Sequence, residues 1–148
     1  QVEQALGRSR GGFSTKIHLI VDGLGNPLGF LLTGGERHDV SQAPTLLRES
    51  MADHTVLGQT TYVIADRAYD AQEFLDLIDG LGAIAVIPPR RNRTAPRSYD
   101  VHLYKERHLV ECTINKLKYY RRIFSRFDKL ASRFLGFLSL AAALIWLR

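Results

Sequence analysis

Two short apolar runs, YVIA at residues 62–65 and AIAVI at residues 83–87, constrain the fold of this chain more than any other feature. A continuous apolar run of this length predicts a strand buried on both faces of a sheet. Between them residues 71–81 read as a helix, with Asp70 as the expected N-cap. Strand, helix and strand in succession point to the α/β class. Asp66 gains weight from its position, because it ends the first run and ligands in open α/β sheets gather outside the carboxyl ends of strands. The competing role is an acid that starts the next turn or caps the following helix.

Upstream, KIHLIV (16–21) and LGFLLT (28–33) favour β structure and are separated by the turn formers DGLGNP, so they should pair as antiparallel strands. Gly34 and Gly35 end the second strand, and a helix is expected from near Ser41 to about Ala52, with Pro44 tolerated in its first turn. Residues 1–12 show no apolar period and read as a flexible basic lead-in carrying Arg8 and Arg10. Pro88 and Pro89 end the YVIA–AIAVI unit and open PPRRNRTAPRSYD, a loop with Arg90, Arg91, Arg93 and Arg97 that should not form a packed element. Solvent is one counterpart for such a loop, and a phosphate backbone is the other. A helix over about 100–123 follows, then another from near Phe127 or Asp128 to Leu147. In the last helix Leu130, Phe134, Phe137, Leu138, Ala141, Leu144 and Ile145 keep helical spacing, which suits closing a core, with Trp146 as packing.

The 148 residues amount to one domain with enough apolar content for a core. A formal charge of +5 favours a polyanionic partner without naming it. Cys112 is the lone cysteine, so no internal disulfide is available and an oxidising compartment is not required. His18, His38, His54, His102 and His108 show no ligand spacing, which argues against zinc, although His38-Asp39 could line a cleft or serve a turn. GGFSTK lacks the spacing of a phosphate loop. No secretory leader is evident, and the uncharged run at 134–147 is short for a membrane span.

Residues 104–118, YKERHLVECTINKLK, combine packing with chemistry. At ~100° per residue, Tyr104, Arg107, Glu111 and Lys118 fall within roughly a 60° arc. Leu103, Val110, Ile114 and Leu117 form a stripe about 80° to one side. Glutamate beside cations and a phenol suits phosphate chemistry, although a solvated ion-paired face has the same composition.

The order of those four residues resembles the signature around the final acid of DDE transposases of bacterial insertion sequences. GRSRGGFSTKIH, GNPLGFLLTGGERHD, VIADRAYD, VIPPRRNR and LAAALIWLR extend the resemblance, to insertion sequence family five, over nearly the whole chain. It implies an RNase H-like mixed sheet flanked by helices. It also implies Asp66 and Glu111 as second and third acids of the triad and ligands of two Mg²⁺ or Mn²⁺ ions. Tyr104 and Arg107 would hold the scissile phosphate, and Lys118 would contact DNA near the element's end. Arg90, Arg91 and Arg93 are further expected DNA contacts.

The implied partners are the double-stranded DNA of terminal inverted repeats and target, in the bacterial cytoplasm at the nucleoid and with no membrane. A second copy, as a homodimer, or a transposase segment from an upstream frame is the expected protein partner. The family's first acid precedes GRSRGG, and here neither Glu3 nor Asp22 replaces it well, so the chain reads as an N-terminally truncated domain. An isolated chain is then expected to be inactive. A non-catalytic competitor of full-length transposase and a hydrolytic nuclease are the alternative functions.

Overall fold

A computed structural model describes residues 4–9, 11–51, 62–95 and 97–147. In chain order the elements are β1 (Gly7–Ser9), β2 (Gly12–Val21), β3 (Pro27–Gly34), α1 (Ala43–Met51), β4 (Tyr62–Ile64), α2 (Gln72–Gly80), β5 (Ile84–Val86), α3 (Val101–Tyr104), α4 (His108–Lys118), α5 (Arg121–Phe124) and α6 (Ala131–Trp146). Short 3₁₀ turns lie at Asp39–Ser41, Arg67–Tyr69 and Lys105–Arg107. The chain is α/β and divides into two compact units, residues 1–38 with 109–148 and residues 39–108.

In the first unit β1, β2 and β3 form an antiparallel sheet. The expected β2–β3 hairpin is present, with Ile17 opposite Leu32 and Leu19 opposite Phe30. Alternation puts these four side chains on one face. Against that face α6 presents Phe134, Leu138, Ala141 and Ile145, and Leu117 and Ile123 complete the core. The helix is thus held by burial along one stripe. Trp146 fixes its end, donating its indole N–H to the Pro27 carbonyl at 2.8 Å.

The hairpin turn is built on Asp22. Its Oδ1 accepts from the backbone N–H groups of Leu24 at 2.9 Å and Asn26 at 2.8 Å, and Oδ2 accepts from the Asn26 amide at 3.0 Å. Gly25 has φ +82, a conformation only glycine adopts at little cost. Both Asp22 oxygens therefore serve the turn.

Two expectations change here. Part of the presumed lead-in is a strand, because Gly12 at φ +107 turns the chain so that Gly7–Ser9 pairs back onto β2. The last helix starts at Ala131 rather than near Asp128, because Asp128 accepts from the Arg122 guanidinium at 3.2 Å and its backbone carbonyl accepts from Arg126 Nε at 2.9 Å. Arg126 also donates to the carbonyls of Gln4 at 2.7 Å and Ala5 at 3.1 Å, joining chain segments far apart in sequence.

In the second unit β4 and β5 pair in parallel, with Tyr62 opposite Ile84 and Ile64 opposite Val86. The helix α2 connects them and packs on α1 and β5. Phe74, Leu75 and Ile78 of α2 are buried, as are Leu46, Leu47 and Met51 of α1. Gly82, at φ +73, ends α2: its N–H bonds to the Asp79 carbonyl and that of Ala83 to Ile78, the left-handed closure glycine favours.

The strands are not buried on both faces as their composition suggested. Tyr62 is 45% and Ile84 56% exposed, while Val86 is 1% exposed. Ile84 and Val86 share a face, so exposure falls along the strands, from their starts at Tyr62 and Ile84 to the buried end at Val86. Glu3, Arg10, His54 and the expected end of α1 at Ala52 lie outside the described residues.

Candidate active site

Asp66 follows β4 by two residues and caps the 3₁₀ turn Arg67–Tyr69. One carboxylate oxygen, Oδ1, accepts from the Ala68 N–H at 2.8 Å. The side chain is half-buried, and Oδ2 has no hydrogen bond to a described residue. A carboxylate so held is oriented by one oxygen and presents the other. Of the two roles read from its position, the capping one is seen: the acid caps the turn that follows the strand.

A second acid shares this neighbourhood. Asp39 opens a 3₁₀ turn that packs against Arg67–Tyr69. Tyr69 registers both carboxylates: burial first, then Asp39 and Asp66, push its phenol up to about 12. The sequence sets Asp39 beside His38, and its influence on Tyr69 is a tertiary effect that spacing does not reveal.

Asp70 does not cap α2, contrary to its expected role. The N-cap is Ala71, which makes no side-chain cap bond. Instead Asp70 is buried, and it accepts from the Arg90 backbone N–H at 2.7 Å and from Arg93 Nη1 at 2.6 Å. Arg97 Nη2 lies 3.9 Å away and donates to the Ile87 carbonyl at 3.0 Å, while Nη1 donates to Ala85 at 3.1 Å. Arg90 Nη2 reaches the Ala68 carbonyl at 2.8 Å. The arginine loop is accordingly pinned to the unit through Arg90, Arg93 and Arg97, while Arg90 and Arg91 keep exposed side chains.

Residues 104–118 do not form one helix. Asp100 caps α3 by accepting from the N–H groups of His102 at 2.7 Å and Leu103 at 3.0 Å, which hold its carboxyl below the usual range. The 3₁₀ turn Lys105–Arg107 then interrupts the α-helical phase on which the predicted arc rests. Tyr104 is half-buried, its ring edge-on to Tyr99 at 5.6 Å, and Arg107 is half-buried in the 3₁₀ turn.

Glu111 and Lys118 belong to the first unit. Glu111 lies exposed in the first turn of α4, and Lys118 is exposed in its last turn. These are the ends at which each charge suits the helix dipole. The opposite side of α4 is anchored by fully buried Thr113, whose hydroxyl donates to the Gly25 carbonyl at 2.5 Å. Sequence reasoning missed Thr113; a threonine among apolar neighbours on a helix was the signal available.

Carboxylate oxygens such as Asp66 Oδ2 and the Glu111 carboxylate are the hard donors that Mg²⁺ and Mn²⁺ take. Among the described residues no group of three His, Cys, Asp or Glu side chains could hold a metal ion. No helix among them is long and apolar enough to cross a membrane.

Residues 4–146 match the family described as Transposase DDE domain. The chain belongs to that family. A protein of Brucella ovis named as a transposase for insertion sequence element IS6501 is 43% identical over 136 residues, covering 91% of this chain and 99% of its own length. A Burkholderia cepacia protein named as a transposase for element IS402 is 32% identical over 143 residues, with 93% of this chain and 64% of that relative covered. No solved structure matches. The DDE transposase resemblance drawn from residues 104–118 and the flanking segments is thereby shown, and divalent metal ions are general to the family.

Proposed function

We propose that this transposase-family chain carries the second and third acids of an RNase H-like active site for metal-dependent DNA cleavage and strand transfer. The observation that carries the reading is Asp66. It stands at the carboxyl end of a parallel strand, held by Ala68 through one oxygen, with the other oxygen bonded to no described residue. Glu111 is the second ligand and the family's first acid the third.

Mg²⁺ or Mn²⁺ bound by these carboxylates supplies Lewis acidity for the attacking and leaving oxygens. The chain's own groups bind and orient the DNA. The Arg107 guanidinium and the Tyr104 hydroxyl hold the scissile phosphate, because planar N–H donors and a phenol match its oxygens. Lys118 contacts DNA near the element's end as a point charge. Hydrolysis at each terminal inverted repeat exposes a 3′ hydroxyl, which then attacks target DNA without a covalent enzyme intermediate. The site of action is the bacterial nucleoid, and a second copy or an upstream transposase segment completes the assembly.

Strand transfer on terminal-repeat DNA, by a chain that also carries the first acid, tests this. Asp66→Asn and Glu111→Gln should each reduce transfer to background in Mg²⁺ while DNA binding persists. Retained transfer by either variant removes that residue from the site.

A further inference from the structure

The arginines of the loop after β5 are not equivalent, and a buried carboxylate divides them. Asp70 has no exposed side-chain surface and forms a 2.6 Å ion pair with Arg93. Arg93 spends its second terminal nitrogen on the Gln72 side chain at 2.5 Å. Arg97 is committed to two backbone carbonyls, at 3.1 Å and 3.0 Å, besides facing Asp70. Arg90 is tethered through its backbone N–H to Asp70 and through one nitrogen to Ala68, although its side chain remains exposed. Arg91 differs from all three: its side chain is exposed and pairs with no described residue.

The same bonds link this loop to the candidate catalytic acid. The Ala68 carbonyl accepts from Arg90 and the Ala68 N–H donates to Asp66, so one peptide turn is gripped from the loop on one side and grips Asp66 on the other. A buried, fully engaged carboxylate facing two guanidinium groups holds them in one geometry, because releasing Arg93 leaves a charge uncompensated in a poorly solvated place.

We propose that Asp70 is a positioning residue for DNA binding. By holding Arg93 and Arg97 inward it fixes the loop so that Arg91, beside Arg90, meets DNA phosphate at a set distance from Asp66. The proposal rests on the DNA reading above and replaces a uniformly basic loop with one outward phosphate contact and an inward clamp.

Counterion release separates the two kinds of arginine, since log Kd changes with log salt by about 0.9 per phosphate neutralised. Filter binding of double-stranded DNA across a salt series would be measured with thermal unfolding of each variant. Arg91→Ala should lower the slope by about 0.9 and leave the melting temperature unchanged, and Arg91→Lys should restore the slope. Arg93→Ala should lower the melting temperature and leave the slope of the folded protein as it was. Asp70→Asn, where it folds, should steepen the slope by freeing Arg93.

An equal loss of slope in Arg91→Ala and Arg93→Ala would overturn the division, as would no loss in Arg91→Ala. Wild-type chain without salt-dependent binding would remove the DNA reading itself and this proposal with it.

Discussion

Burial raises the Tyr69 phenol first, and the Asp39 and Asp66 carboxylates raise it further, to about 12. A folded-state pKa above the unfolded value of about 10 means that the folded chain prefers the neutral phenol. The contribution to stability is whole below about pH 10 and disappears as pH climbs toward about 12. Tyr69→Phe should therefore flatten the alkaline loss of stability between those values in denaturant titrations, and an unchanged alkaline limb would deny the link. Asp66 was legible because an apolar run halts at an acid. Asp70 was not: its partners lie 20 and 23 residues downstream, and nothing in local spacing distinguishes a clamp from a cap.

Elements form where burial and local bonds agree, and both can be tested. Leu138 is fully buried between α6 and the hairpin, so Leu138→Ala should cost about 2–5 kcal/mol in denaturant unfolding. Thr113→Val keeps the side-chain shape but leaves the Gly25 carbonyl without its donor. About 1–3 kcal/mol should be lost, and a neutral outcome would show that water takes the hydroxyl's place. Acidification tests Asp100 at the start of α3. Its depressed carboxyl pKa gives stability that is present above the unfolded value and is lost as pH falls through the folded one, an effect Asp100→Asn should abolish. The β2–β3 hairpin and the cap at Asp100 followed from turn formers and short-range chemistry. The 3₁₀ break at Lys105–Arg107 did not, because its residues satisfy helical periodicity as well as their neighbours do.

Across the whole chain, the order of elements was readable and the depth of burial was not. Apolar composition marked β4 and β5 correctly as strands, yet it overstated their burial, since Tyr62 and Ile84 at the strands' starts are exposed. Family membership came from motifs spread along the sequence, and it now extends over residues 4–146. For the activity, the discriminating measurement is the fate of the cleaved end. A transposase joins its 3′ hydroxyl to target DNA, whereas a nuclease leaves nicked product alone, so absence of joined product with cleavage intact would favour the nuclease. Trp146 is the sole tryptophan, and its indole is tied to the Pro27 carbonyl at the start of β3. Its intrinsic fluorescence consequently reports from one defined seam, and a red shift that precedes loss of helical circular dichroism would reveal the last helix peeling from the hairpin before the chain melts.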